Sequence, residues 1–369
     1  MEPAWRLIPA SEAQPALPSA DVRARGWLRT LIERTRGEGA KAVDPAPPEE
    51  RLAPLEEARL ARLAPEPPAA DQRAALDTLR GHSGRAIVLR PDDGGWDSAL
   101  DAETPAGADR IAPPDAGSNV ATLPRELEAR LADPAPLHLA RLERWFVRHH
   151  AGLDTLRQLL SALREREGPW SADVGPWAWA WIRNALEEAR ALPAPWTPAP
   201  LDGETLAQWL ATSERLRLRS DGQPPGPTAF RALAARSHGE AGTASAIWRA
   251  CLRDGAERAE TEQDDAEPDD RNGIVWVRHP SALKLPSLAS TSRGDLLVVH
   301  ALLLHGGATI PRLSRALGTA AGRLDGTLAR LAANGIVERR TVAAWGVAPL
   351  ALPSARSRLE AEAFPGWVA

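Results

Sequence analysis

The sequence predicts a helix-rich α/β chain that ends in a separate helical module closed by a hairpin. Three observations carry this. Arg85-Ala-Ile-Val-Leu-Arg90 is a short apolar run closed by Pro91-Asp-Asp-Gly-Gly95, the pattern of a buried strand. Leu153, Leu156, Leu159, Leu160 and Leu163 recur at helical spacing inside 134–167, the strongest element of the middle of the chain. From Asp295 onward, helix starts and stops punctuate the chain in a regular order. At 369 residues, with roughly 100–200 residues per domain, two or three domains are allowed.

Taken in order, residues 20–36 read as a helix with Val22, Trp27, Leu28, Leu31 and Ile32 on one face. Seven Pro between 44 and 70 mark a linker with room for one short helix, Ala58-Arg-Leu-Ala-Arg-Leu63. A helix over 71–80 precedes the 85–90 strand, and the Gly, Pro and Asp content of 91–124 predicts a long loop. Trp170 to Trp181 reads as a strand followed by a helix reaching Leu192. Further helices are expected at about 202–217, 228–236 and 242–252, and a short strand at 274–277. Residues 254–270 carry nine acids and one Arg, a solvated linker. The linear division is therefore 1–43, a helical segment; 44–70, a Pro-rich linker; 71–253, an α/β body; 254–272, an acidic linker; and 273–369, the C-terminal module.

Composition narrows the function classes. Hydrophobic residues at 43% and charged residues at 25% fit a globular chain. Lys41 and Lys284 are the two lysines among 45 basic residues. Enrichment in Arg, Ala, Pro and Gly is what a GC-rich genome produces, so the Arg content carries no functional weight. Cys251 is the single cysteine, which excludes an internal disulfide and a cysteine-based zinc cluster. No run approaches ~18 apolar residues, so no membrane span is expected. Met1-Glu-Pro-Ala-Trp5 lacks a basic start and an apolar core, so no signal peptide is read and a cytoplasmic place is expected. The net charge of −4 is uneven: from Arg293 onward nine Arg face five acids, leaving −8 on the remainder. A basic module on an acidic body points to nucleic acid at that module.

Within the module, Asp295 to His305 is apolar on nearly every side and predicts a central buried helix stopped by Gly306-Gly307. Thr309 and Pro311 restart a short second helix to Leu317. Gly318 turns the chain and Thr319 caps a third helix to Ala333, where Leu324, Leu328 and Leu331 form one stripe and Arg323, Thr327, Arg330 and Asn334 another. Ile336 to Val347 reads as a hairpin with Arg339 and Arg340 near its tip, and a last helix covers about 354–363. Leu328-Ala-Arg-Leu-Ala-Ala-Asn-Gly-Ile-Val-Glu-Arg-Arg340 in this order resembles the recognition helix and wing of MarR/ArsR-type winged helix-turn-helix regulators. The resemblance implies that the 320–333 helix enters a major groove and that the wing approaches the backbone or minor groove. It implies DNA contacts from Arg312, Arg315, Thr319, Arg323, Thr327, Arg330, Arg339 and Arg340.

The body carries a second resemblance. Leu137-His-Leu-Ala-Arg-Leu-Glu-Arg-Trp-Phe146 stands where STAND/AAA-type P-loop ATPases carry a Walker B strand, and Trp170 to Trp181 is similar to their sensor region. Ser237 to Trp248 is similar to their lid helix, with Ala241 in place of a Pro. The resemblance implies that Glu143 is the surviving acid of a nucleotide site, with Arg141 where a metal-facing Asp is expected. No G-x-x-x-x-G-K-[ST] occurs, and Gly37-Glu-Gly-Ala-Lys41-Ala42 lacks the spacing and the hydroxyl. The expected fold is thus a degenerate P-loop NTPase-like body, helix-rich α/β, plus a C-terminal winged helix. ATP is a candidate ligand through Glu143 alone; no metal or catalytic residue is assigned.

Other constellations have simpler readings. His149 and His150 point about 100° apart on a helix and do not ligate one metal. His300 and His305 fit core positions, and Asp92-Asp93 before Gly94-Gly95 fits a turn. Trp177, Trp179 and Trp181 interleaved with Ala fit core packing rather than base stacking. Cys251 lacks an activating neighbour. The expected function is a regulatory nucleic-acid-binding or switch protein on an inactive ATPase-like body. The alternatives are an adaptor whose winged helix docks to a protein partner or to a second copy, and an NTPase with a non-standard phosphate site.

Overall fold

Short apolar strands separated by helices build one mostly parallel sheet. The structure, a computed structural model, describes residues 5–13, 52, 54–82, 84–102, 108–113, 125–210, 216–220, 222–254 and 275–364. The helix expected over 20–36, Gly37–Ala42 and the acidic run beyond Asp254 lie outside them. The chain divides into two compact units, one of 1–14, 68–199 and 285–369, the other of 15–67 and 200–284. No helix among the described residues is long and apolar enough to cross a membrane.

In the first unit the strands are β1 (Leu7–Pro9), β2 (Arg85–Leu89), β3 (Asp109–Ile111), β4 (Leu137–Leu139), β5 (Trp170–Val174) and β6 (Trp196–Pro198), in the order β1-β6-β2-β5-β4-β3. β1 runs antiparallel to β6; the other pairings are parallel, with Arg85 opposite Trp170 and Leu89 opposite Val174 at the centre. β2, β4 and β5 are buried at nearly every position, as parallel strands covered on both faces are. The run 91–124, read as loop, contains the helix Asp97–Ala102 and β3. The chain leaves β2 toward β3 on one side and leaves β5 toward β6 on the other. The crevice beyond the carboxyl ends of β2 and β5 is therefore a topological switch point.

The second unit packs the helices Glu57–Leu63, Gly203–Leu210, Pro227–Ser237 and Ala241–Cys251 with β7 (Leu216–Leu218), β8 (Leu252–Asp254) and β9 (Val275–Val277), in the order β7-β9-β8. Of the helix expected over 202–217, the described part is Gly203–Leu210, and Leu216–Leu218 is instead a strand, alternating with period two and paired with β9. The Trp248 indole donates to the Leu63 carbonyl at 3.0 Å. Cys251 is fully buried, and burial pushes its thiol up to about 12, as an inert cysteine requires.

The C-terminal residues belong to the sheet-bearing unit. The helix Arg293–Leu304, capped by the Ser292 side chain, is buried almost all round. It is followed by β10 (Ala308–Thr309), the second helix Ile310–Leu317, the third helix Ala321–Ala333, β11 (Val337–Arg339), β12 (Ala344–Val347) and the last helix Leu352–Ala361. Thr309 caps the second helix as read. Thr319 does not cap the third: Ala320 stands at that position with no side-chain bond, and the Thr319 hydroxyl donates back to the Leu317 carbonyl.

Where the linear division sets an acidic linker before this module, the folded chain packs 285–369 with 68–199. The two cores exchange side chains. Trp177, from the helix Pro176–Ala185 after β5, is buried in the module's core, edge-on to His300 at 5.8 Å, and Leu304 is buried in the sheet's core. Trp179 is buried and Trp181 stacks on Phe146 at 5.5 Å, so these tryptophans are packing residues. Trp177→Ala is expected to cost about 3–5 kcal/mol, measured by urea unfolding followed by far-UV circular dichroism. A loss under ~1 kcal/mol, typical of surface positions, would show that the cores are not joined there.

Candidate functional site

The switch-point crevice is where an open α/β sheet offers a ligand site. Arg90 follows β2 directly, is 3% exposed, and carries three carboxylates. Its Nε donates to Asp173 at 2.7 Å, Nη1 to Asp97 at 2.8 Å and Nη2 to Asp101 at 2.9 Å. Asp97 and Asp101 reach it together because they lie four residues apart on the helix Asp97–Ala102. Asp173 comes from β5, opposite Val88 in register. The His138 ring, on β4, lies 3.1 Å from Asp173 and 2.8 Å from the Ser171 hydroxyl.

The turn after β4 supplies the other wall. Arg141 sits in left-handed backbone at φ 50°, a strained conformation for a side-chain-bearing residue. That conformation lets its backbone N–H donate to Asp173 while its guanidinium reaches Asp97 and Asp101, both at 3.1 Å. Glu143, buried at 1% exposure, accepts from the Gly175 N–H at 3.1 Å. Gly306 closes the crevice from the module: its φ is +57°, and a Cβ there would lie 2.8 Å from Glu143 Oε1.

Burial works against both members of the central pair. For Asp173 the Arg90 charge and the His138 hydrogen bond outweigh it, holding the carboxyl well below the usual range. For Arg90 the Asp173 charge outweighs it, and the guanidinium stays charged. Glu143 goes the other way: burial first, then Asp173, raise its pKa. The space left among these groups is about 30 Å³. That volume admits about one water, whereas ligand pockets run to about 300–1,000 Å³. The residues present do not fit a nucleotide triphosphate: the guanidinium groups are spent on the chain's own carboxylates, and Asp93 turns the loop after β2 by accepting from the Gly95 N–H. Among the described residues no group of three or more His, Cys, Asp and Glu could hold a metal ion.

Of the sequence-predicted site residues, Glu143 and Arg340 line this crevice. The residues expected at DNA divide. Arg312 is 4% exposed, and its Nη2 donates to the carbonyls of Glu143, Arg144 and Phe146 at 3.3, 3.0 and 2.7 Å. Burial and the neighbouring Arg144 lower this guanidinium to about 10. Arg340 Nη2 donates to the carbonyls of Asp92 and Val347, both at 3.0 Å. The Arg312 guanidinium is thus turned into the protein, whereas Arg340 remains an exposed residue. Arg339 stacks on Trp345 at 4.5 Å, and Arg330 pairs with Asp295. Arg315 and Arg323 are exposed; Thr319 and Thr327 are half-buried. His305 is fully buried beside Phe146 and Arg312, and burial holds its pKa well below the ordinary value. His149 caps the helix His150–Glu165 by accepting from the Gly152 N–H.

Arg90, His138 and Asp173 are site residues that sequence reasoning passed over. The signal was present: an Asp inside the apolar strand Trp170–Val174 and an Arg ending the apolar strand Arg85–Leu89 need each other once buried. No protein-family model matches the chain, and no curated protein sequence matches it.

Removing one partner of a buried pair leaves the other charge uncompensated. Asp173→Asn is expected to cost about 3–5 kcal/mol at pH 7, read from urea midpoints. Because the folded pKa of Asp173 is depressed, its contribution is full above the unfolded value near 3.9 and is lost as pH falls through the folded value. The wild-type midpoint should therefore drop below about pH 4 more steeply than that of the variant. Equal slopes would remove Asp173 as the anchor.

Proposed function

We propose that the chain is a non-hydrolysing regulatory protein in which a body resembling a degenerate STAND/AAA ATPase holds a winged helix that binds nucleic acid. The observation that carries the proposal is the set of three carboxylates around Arg90. On the resemblance they stand where a nucleotide's phosphates would lie, and they engage the Arg90 and Arg141 guanidinium groups that a phosphate would otherwise need. The resemblance places the Walker B strand at β4 and the sensor strand at β5, and these two are neighbours beside β2. The loop after β2, where a phosphate cradle needs glycine N–H groups and a Lys, reads Pro91-Asp-Asp-Gly-Gly95.

The nucleic-acid part of the proposal is supported by the order helix, helix, helix, hairpin and by the outward placement of Arg315, Arg323 and Arg339. A cytoplasmic place fits the single buried thiol. A second reading, an adaptor docking a protein or a second copy, is favoured by Val342, 94% exposed at the hairpin tip, and by Leu297, 37% exposed.

Two measurements separate these readings. With ATP and Mg²⁺ the purified chain is expected to give no turnover approaching ~1 s⁻¹; turnover lost in Glu143→Gln would overturn the inactive-body reading. With a DNA duplex at ~50 mM salt the full chain should bind. Arg323→Ala and Arg339→Ala should each flatten the salt dependence by about one unit. Absence of salt-dependent binding leaves the adaptor.

A further inference from the structure

A groove of about 630 Å³ lies between the first turn of the helix Arg293–Leu304 and the third helix Ala321–Ala333. Three guanidinium groups line it: Arg323 and Arg330 from the third helix, and Arg148 from the body, just before the helix His150–Glu165. The acid lining it, Asp295, is paired with Arg330. The side chains of Arg148 and Arg323 make no ion pair or hydrogen bond among the described residues. Arg148 is half-buried, and burial lowers its pKa with no carboxylate to offset that. A partly desolvated cation facing a groove without an anion is a costly arrangement that a bound anion relieves.

The groove's shape bears on which anion. Gly322 and Gly326, one turn apart on the third helix, have open space where a Cβ would stand. A ligand backbone can therefore approach that helix closely. Uncompensated guanidinium groups contributed by two elements along one open groove match phosphates strung on a strand, since Arg binds phosphate bidentately.

We propose that Arg148 completes the nucleic-acid interface of the third helix, taking a backbone phosphate in this groove together with Arg323. The inference rests on the nucleic-acid reading above and extends it to the body. The interface is then composite, and the module from 285 onward presents an incomplete one.

The experiment measures binding of the full chain to a mixed-sequence 20-bp duplex across a salt series, of a length chosen to cover about two helical turns. Arg148→Ala is expected to weaken binding and to lower the slope of log affinity on log salt by about one, as loss of one phosphate contact does. Arg148→Lys should restore the slope, because it keeps the charge. Arg157→Ala, which removes the same charge from an exposed pair with Asp154, should leave the slope unchanged. If Arg148→Ala behaves like Arg157→Ala while Arg323→Ala weakens binding, this inference fails and the nucleic-acid reading stands. If the wild-type chain shows no salt-dependent binding, both fail. Should Arg148→Ala not fold, the wild-type chain decides: the duplex must protect Arg148, and not Arg157, from an arginine-selective dicarbonyl, read by mass spectrometry. Equal modification with and without duplex overturns the proposal.

Discussion

A guanidinium held out of water at the end of a parallel sheet has to be met by carboxylates, and Arg90 sets the arrangement of what surrounds it. Asp173 can meet it because β5 is the register neighbour of β2: Asp173 stands opposite Val88, and Arg90, two residues beyond Val88, points to the same face of the sheet. Asp97 and Asp101 can meet it only if the chain after Gly95 folds at once into a helix, which places residues four apart on one face. Within the run that composition reads as loop, the helix Asp97–Ala102 answers this demand. Arg141 accepts a left-handed backbone for the same reason, since its N–H and its guanidinium serve carboxylates of the same cluster.

The turn from Arg141 to Phe146 faces two ways, and this couples the crevice to the module. Its side chains, Arg141 and Glu143, enter the charge cluster, while its carbonyls at Glu143, Arg144 and Phe146 accept from Arg312. Arg312 can reach them because Thr309 caps the second helix and fixes its first turn. Gly306 allows the approach, since any side chain there would strike Glu143. A shift of the module would thus disturb hydrogen bonds on the turn that also positions Glu143. The sheet and the module are one mechanical body, and the shared side chains Trp177 and Leu304 enforce it.

Local punctuation made the module legible in the sequence. Gly306-Gly307, Thr309-Pro311 and Gly318 each do by backbone chemistry what they were read to do, so its helices and hairpin fall within a few residues of expectation. The helix His150–Glu165 was legible from its leucine spacing, and the tryptophans of the helix Pro176–Ala185 from their interleaving with Ala. β1 and β6 were not legible: three residues each, with a Pro in both, they are strands through pairing with each other rather than through pattern. Glu143 was singled out only through resemblance, whereas Arg90 and Asp173 were missed because an ion pair between residues 83 apart has no local signature.

The module's charge looks different once the side chains have directions. Its +4 sums nine Arg and five acids without regard to where they point. Arg312 and Arg356 are buried, Arg356 lying 4.0 Å from Asp92, and Arg340 is turned onto the Asp92 carbonyl. Setting the two buried ones aside leaves seven Arg against five acids at the surface. A net charge this small draws a polyanion only weakly by its general field, which depends on summed charge. Affinity for nucleic acid must then come from a few placed cations, each worth about one released counterion. That shifts weight from composition to geometry, and onto the guanidinium groups of Arg323 and Arg148 that the fold leaves without a carboxylate among the described residues.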